Sequence, residues 1–237
     1  MKVAAVIPAR YGSSRFPGKP LARIAGCSMI ERVYRQAEKA ACFAEIIVAT
    51  DDPRIRDEVI RFGGNAEMTD SRIKSGTERV WAVIENKEIA AVVNIQGDEP
   101  LIPDQLIRAV ALALEKDPVV SAARRNDSRE DFLSRHVVKV VCDRDGRAIY
   151  FSRAPIPFSG EDSCAGFLQH IGIYGYSKEM LRAFVGGSAS ELERRENLEQ
   201  LRFLFMGQPI RILLTDFLSH GVDVPADIEK IERLLRS

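Results

Sequence analysis

Short apolar runs alternate with amphipathic helical patterns through the first half of this chain, and that alternation leaves few architectures open. Val3-Ala4-Ala5-Val6-Ile7, Glu45–Thr50 and residues 90–95 are strand-like runs that lack the polar alternation of a half-exposed strand. Between them, Met29–Ala40, residues 54–62 and residues 76–85 read as helices, with Gly63-Gly64 as a stop and Ala66–Met68 as a weak strand. Strands buried on both faces and joined by helices are the mark of βαβ units around a parallel sheet. A further helix opens at Pro103 and runs to about residue 116, with Asp104 beside the positive end of its dipole.

The pattern changes after residue 120. Residues 119–123, 137–142 and Ala148–Ser152 read as strands in quick succession, the last two joined by Asp143-Arg144-Asp145-Gly146, a hairpin turn by composition. A strand over 171–176, helices over 178–184 and 193–206, a strand over 210–215 and a closing helix over 225–235 follow. The expectation is an α/β fold: a Rossmann-like, mixed but mainly parallel sheet flanked by helices, with an inserted antiparallel β-hairpin region. One domain spans residues 1–237, a length that supports a well-buried core, and the insertion covers about 125–180. The polar stretch 126–135 and the loop 158–166 read as the mobile segments.

Lys plus Arg and Asp plus Glu number 34 each, so whole-chain charge favours neither a nucleic-acid nor a membrane-surface partner. The first residues are too short for a signal peptide and no apolar run reaches the length of a membrane span, so the expected compartment is the cytoplasm. Cys27, Cys42, Cys142 and Cys164 lack Cys-x-x-Cys spacing and read as reduced, mostly buried thiols rather than a zinc site.

Function must therefore come from local chemistry. Ligands of open parallel sheets bind beyond the carboxyl ends of the strands, where connections reverse. The first strand delivers into Pro8-Ala9-Arg10-Tyr11-Gly12-Ser13-Ser14-Arg15-Phe16-Pro17-Gly18-Lys19-Pro20. Glycines and small hydroxyl residues let backbone N–H groups approach an anion, and Arg10, Arg15 and Lys19 add positive charge, so the loop suits a polyphosphate. Gly12 and Gly18 are too far apart for a P-loop and Pro20 follows Lys19; nor is there a Gly-x-Gly-x-x-Gly. An ordinary basic surface connection is the plainer alternative.

Behind the strongest strand comes Gln96-Gly97-Asp98-Glu99-Pro100. A carboxylate at a strand end suits Mg²⁺, which takes one or two carboxylates and completes its octahedron with phosphate oxygens and water. The alternative is an acidic turn with Asp98 capping the region of the Pro103 helix. Ser75-Gly76-Thr77-Glu78-Arg79 begins a helix as a cap, with Glu78 completing a capping box, and such a start also offers N–H and hydroxyl groups to a nucleotide. Asp223 precedes Val224-Pro225, where it is either a second metal carboxylate or, like Asp227, a structural acid at a helix start. His170 alone reads as structural. The charges of the 193–206 helix read as a solvated face, and Lys139, Ser152 and Arg153 face either substrate or water. No Ser-His-Asp or Cys-His device is present in the pattern.

Taken together, these segments resemble the 3-deoxy-manno-octulosonate (Kdo) cytidylyltransferases, or CMP-Kdo synthetases. The opening loop through Leu21, Ala49-Thr50-Asp51-Asp52, Ser75 to Arg79, Asn94 to Pro100, Tyr150-Phe151-Ser152-Arg153-Ala154, His170 to Tyr174, Leu198-Glu199-Gln200-Leu201-Arg202 and Gly221-Val222-Asp223 carry the resemblance. Phe16, Ser28 and Val224 depart from the usual Leu, Pro and Thr without removing a reacting group.

The resemblance implies a nucleotide-diphospho-sugar transferase fold and a reaction of CTP with Kdo to give CMP-Kdo and pyrophosphate, for lipopolysaccharide synthesis. It implies in-line attack of the anomeric hydroxyl on the α-phosphorus. Arg10, Lys19, Asp98 and Asp223 become the catalytic set, with Ala9, Arg10, Ser13, Ser14, Lys19, Ser75, Gly76 and Gln96 around the nucleotide. Asp98 and Asp223 would hold Mg²⁺, one ion on the phosphates and one bridging the sugar to the α-phosphate. Arg153, His170, Tyr174, Glu199 and Gln200 would line the sugar pocket, and the insertion would serve sugar binding and homodimerisation. CTP and Kdo are the implied partners. An acceptor of the 8-amino-Kdo or sialic acid type, or a non-catalytic nucleotide-binding protein, are the alternatives. Tyr150 to Ala154 and Leu198 to Arg202 speak against the sialic acid version.

Overall fold

The computed structural model describes residues 1–12, 16–73, 75–158, 166–218 and 220–236. Ser13, Ser14, Arg15, Cys164 and most of the 158–166 loop lie outside them. Strand β1 (Val3–Ala9) leads through a single 3-10 turn (Lys19–Leu21) to a small hairpin, β2 (Arg23–Ile24) and β3 (Cys27–Ser28), and then to α1 (Met29–Ala40). The alternating half continues with β4 (Glu45–Thr50), α2 (Pro53–Arg61), β5 (Ala66–Met68), α3 (Gly76–Ile84), β6 (Ala91–Ile95) and α4 (Asp104–Ala113). Next come β7 (Val119–Asn126), α5 (Arg129–Leu133), β8 (Lys139–Cys142), β9 (Ala148–Ser152), β10 (Phe167–Ser177) and α6 (Lys178–Gly186). Two short helices, α7 (Glu191–Glu196) and α8 (Leu201–Phe205), precede β11 (Arg211–Leu214) and α9 (Asp227–Arg236).

The main sheet has the order β11-β7-β10-β6-β1-β4-β5, and β10 runs against the other six. β8 branches off β10 and pairs with β9 as the antiparallel hairpin. The chain moves outward from β1 to β4 and β5, then returns to place β6 on the other side of β1. That reversal leaves a crevice between the loops that follow β1 and β6.

The sequence of β1 explains its central place. Val3, Ala5 and Ile7 enter a core shared with Ile30 and Val33 of α1 and Ile107 and Val110 of α4. Ala4 and Val6 enter the opposite core, with Val80 and Val83 of α3 and Leu181 and Phe184 of α6. A strand with helices on both faces has no use for polar alternation. A third, smaller core of Ile24, Met29, Val222 and Ile231 fastens the segment before α9 and α9 itself to the β2–β3 hairpin. No described helix is long and apolar enough to cross a membrane.

Several sequence expectations are corrected here. The helix expected over 193–206 is two helices, because Asn197 adopts the left-handed conformation (φ 52°), which asparagine tolerates better than most residues. A capping box between Ser190 and Glu193 starts the first of them two residues earlier than expected. The stretch 126–135, expected to be mobile, holds α5, which is capped by Ser128 and anchored by buried Phe132 with its ring centroid 5.3 Å from that of Phe167. Pro103 is the N-cap of α4 rather than a residue of its first turn. The β2–β3 hairpin, turning at Ala25 and Gly26 with φ of 45° and 87°, was not anticipated. Cys27, Cys42 and Cys142 are free thiols but half-buried rather than buried, and burial pushes the Cys142 thiol up to about 11.

Candidate active site

At the crevice, backbone geometry comes first. Gly18 (φ 72°) donates its N–H to the Tyr11 carbonyl at 2.9 Å and turns the opening loop back to start the 3-10 turn at Lys19. Gly97 lies where a Cβ would sit 3.1 Å from the Pro8 carbonyl oxygen, so a side chain there would push the loop after β6 a few tenths of an ångström away from the end of β1. Val222 N–H donates to the Asp98 carbonyl at 2.9 Å and brings in the segment before α9.

These contacts converge on one cation. Lys19 Nζ donates to Asp98 Oδ2 at 2.7 Å and to the Val222 carbonyl at 2.8 Å, and lies 3.8 Å from Asp223 Oδ1. The helix-cap reading of Asp98 is thereby excluded. Asp98 does not cap α4, whose N-cap is Pro103 without a side-chain bond. Asp227 is the structural acid, its Oδ2 accepting from Asp223 N–H and Val224 N–H at 2.8 and 2.9 Å, and Asp223 faces Lys19.

A cavity of about 310 Å³ opens here, and Ala9, Arg10, Lys19, Ser75, Gly76, Gln96, Asp98 and Asp223 all line it. Ser75 Oγ accepts from Glu78 N–H at 3.3 Å, so the helix cap and the cavity wall are the same residue. Arg79, for which the sequence suggested no role, also lines the cavity. It is buried, donating to Asp51 Oδ2 at 2.9 Å, to the Ile73 carbonyl at 3.0 Å and to Thr69 Oγ1. An arginine beside the apolar positions Val80, Val83 and Ile84 of one helix was the available signal.

A second cavity of about 460 Å³ adjoins the first and is lined by Arg153, His170, Tyr174, Glu199 and Gln200. Gly76, Gln96, Asp98 and Glu199 border both cavities. Thr77 Oγ1 donates to Glu199 Oε2 at 2.6 Å, tying the start of α3 to the turn between α7 and α8. The left-handed Asn197 makes that turn and thereby brings Glu199 and Gln200 to the cavity wall.

Arg153 is held by carbonyl oxygens: Nε by Glu196 at 2.8 Å, and one terminal nitrogen each by Arg135 at 3.0 Å and Asn197 at 3.4 Å. The Glu196 carboxylate accepts from Ser152 Oγ at 2.6 Å and from Arg153 N–H at 2.8 Å, so it grips the backbone end of β9. Lys139 is wholly buried and donates to the carbonyls of Ser134, Val137 and Arg153. It is a structural ammonium, with its pKa pulled down by burial. Burial also pushes the Tyr174 phenol up and holds the His170 imidazole down to about 3, so both present neutral rings. Gln200 is buried, and its Nε2 has no hydrogen-bond partner among the described residues.

Among the described residues no three or more His, Cys, Asp and Glu side chains gather into a metal cluster. The donor set nonetheless fits Mg²⁺. Two carboxylates already share one positive centre, the Lys19 ammonium, and Mg²⁺ asks for one or two carboxylates with the rest from phosphate and water.

A loop of cations and a pair of acids across the reversal point of a parallel sheet, with a second cavity alongside, defines a nucleotidyltransferase. The cytidylyltransferase family matches residues 4–212. The 3-deoxy-manno-octulosonate cytidylyltransferase of Syntrophotalea carbinolica is 47% identical over 248 residues, covering 100% of this chain and 99% of its own. That of Thermodesulfovibrio yellowstonii is 43% identical, covering 100% and 99%. A solved structure of CMP:2-keto-3-deoxy-manno-octonic acid synthetase complexed with CTP superposes with a TM-score of 0.94 at 40% identity, over 100% of this chain and 99% of that one. The chain belongs to the 3-deoxy-manno-octulosonate cytidylyltransferase family.

Proposed function

We propose that this chain activates Kdo with CTP, forming CMP-Kdo and pyrophosphate. The observation that carries the reading is the shared wall: Asp98 borders both cavities, so a nucleotide in one and an acid sugar in the other meet at a carboxylate. The first cavity receives CTP, with Arg10 and Lys19 on the triphosphate and Ser75, Gly76 and Gln96 beside the nucleoside. The second receives the sugar, with Arg153 offering a guanidinium to its carboxylate. Its anchors are carbonyl groups, which leave the positive charge uncancelled for an anion.

In-line attack of the anomeric hydroxyl on the α-phosphorus needs positioning and charge neutralisation rather than a covalent nucleophile. Glu199, at the boundary and fixed by Thr77, helps to set the angle between the two substrates. Asp98 and Asp223 would hold Mg²⁺, which would supply neutralisation of phosphate charge and a lowered pKa for the attacking hydroxyl. Lys19, released from Asp98 as the nucleotide enters, moves its charge to the departing pyrophosphate. The β8–β9 hairpin with the distal part of β10 forms the insertion and serves homodimerisation. The compartment is the cytoplasm, where CTP is made available.

The test is Mg²⁺-dependent pyrophosphate release from CTP with Kdo, 8-amino-Kdo and N-acetylneuraminate supplied separately. Release with Kdo is the expected result. Release with only another sugar keeps the mechanism and moves the acceptor, and silence with all three leaves a nucleotide-binding protein.

A further inference from the structure

Ser121 lies wholly buried on β7, between Val120 and Ala122, which both point into the α1/α4 core. Its own side chain therefore points to the other face of the sheet, toward His170. Ser121 Oγ is 2.8 Å from the Ile173 carbonyl oxygen and 2.9 Å from His170 Nε2. The β10–β7 register shifts between Ile171 and Tyr174, and the irregularity brings the Ile171 carbonyl to 3.5 Å from the same hydroxyl.

A serine hydroxyl has one hydrogen, and a carbonyl can only accept. The hydrogen of Ser121 is therefore committed to Ile173, and its oxygen is left to accept from the ring. Nε2 must carry the hydrogen in that contact. Desolvation by the surrounding strands and rings lowers the His170 pKa, which favours the neutral ring; with Nε2 carrying its single N–H, Nδ1 bears a lone pair. The bond to Ser121 is the ring's only side-chain hydrogen bond among the described residues, and the ring lines the second cavity. Phe151 packs edge-on against it, with centroids 5.2 Å apart, and limits its rotation.

We propose that Ser121 is a positioning residue for substrate selection: it fixes His170 as the Nε2–H tautomer, so that Nδ1 accepts a hydrogen bond from a hydroxyl of the acid sugar. The selection half rests on the acid-sugar reading of this cavity. A sugar hydroxyl can donate to the Nδ1 lone pair where a methyl or ether cannot.

The chain has three histidines, and long-range proton–nitrogen correlation on protein labelled with ¹⁵N-histidine reads the tautomer of each, His170 being assigned from the signals lost in His170→Gln. The expected wild-type pattern is a protonated Nε2 and an unprotonated Nδ1. In Ser121→Ala the two nitrogen shifts should move toward an average. The KM for Kdo should rise about tenfold, the worth of one neutral hydrogen bond, with the KM for CTP changing less than about twofold. Ser121→Thr, which keeps the hydroxyl, should keep both the tautomer and the KM.

A wild-type His170 that carries its hydrogen on Nδ1, or on both nitrogens, overturns the proposal without any variant. So does a Ser121→Ala protein that retains both the tautomer and the KM. Absence of Kdo turnover by the wild type would defeat the acid-sugar reading and the selection half with it, while the spectrum would still decide the tautomer.

Discussion

The two cavities share four wall residues yet handle charge in opposite ways. In the first, the charged groups stand at strand ends within reach of water. Arg10 is exposed and Lys19 bridges two carboxylates, one of which, Asp223, has a side chain 52% exposed. The longer of the two pairs, Lys19 to half-exposed Asp223 at 3.8 Å, is of the kind worth only about 0–1 kcal/mol, so a ligand can rearrange it at little cost. In the second, ionic groups are immobilised. Arg153 is held by three carbonyls, Glu199 by Thr77, and the rings of His170 and Tyr174 are neutral; behind the wall Lys139 is spent on three more carbonyls and Glu196 on a strand end. Charge that must change partners during a reaction is left loosely held, and groups that must recognise a shape are fixed.

That contrast can be broken most sharply at Asp98 and Asp223. Asp98→Asn and Asp223→Asn should each lower kcat by about 10³-fold, the scale of a lost electrostatic element in a transition state, with CTP affinity changing only a few-fold. Steady-state kinetics beside calorimetric CTP titration would separate the two effects. Normal turnover in Asp98→Asn would remove that carboxylate from the chemistry. Equal loss of CTP binding in Asp223→Asn would place it on the nucleotide.

Next in size is a crossed pair. Arg153→Ala should raise the KM for the sugar by about 10- to 100-fold, as expected for charged hydrogen bonds, and leave CTP affinity alone. Lys19→Ala should do the reverse and weaken CTP binding by about tenfold. If both variants affected both substrates alike, the division between the cavities would fail.

The backbone break that shapes the second cavity gives a smaller effect. Asn197→Ala should cost about 1 kcal/mol in a urea titration because alanine resists the left-handed conformation, whereas Asn197→Gly should stay within a few tenths. Equal losses would mean that the side chain, not the backbone, matters there.

A last effect is in pH dependence. His170 is held down to about 3 in the folded chain, so between pH 6.5 and 5 the unfolded chain binds a proton that the folded one refuses. The stabilisation from a neutral His170 is complete above the unfolded value and is lost as pH falls toward 3. His170→Gln should therefore flatten the stability slope over that window by up to about 1.4 kcal/mol per pH unit, measured by urea midpoints. An unchanged slope would show that the imidazole is not kept neutral.

The first cavity was far more legible in the sequence than the second, for physical reasons. β1 and β6 are buried, mainly apolar runs that end at Gly- and Pro-bearing loops, and local chemistry alone puts such loops at sheet ends. Pairing Asp98 with Asp223 needed a long-range contact, which the resemblance implied and the Val222 bond realises. The second cavity depends on features without a local signature. Asn197 interrupts a stretch whose apolar spacing would suit one helix. Around the first cavity too, some features carry no local signature: the β2–β3 strands are two residues each, too short for any periodicity. Arg79 and Ser121 acquire their roles only from neighbours far along the chain, and a polar residue inside an apolar segment does not say what it will meet.

The bond from Lys19 to the Val222 carbonyl spans 203 positions. A ribosome delivers the basic loop early and the second acid near the end of its work. During most of synthesis the half-made chain thus carries a cationic loop without the Asp223 carboxylate, held in place by the small core that Val222 and Ile231 complete. The contact between the basic loop and the second acid is thus among the last to form as the chain is made.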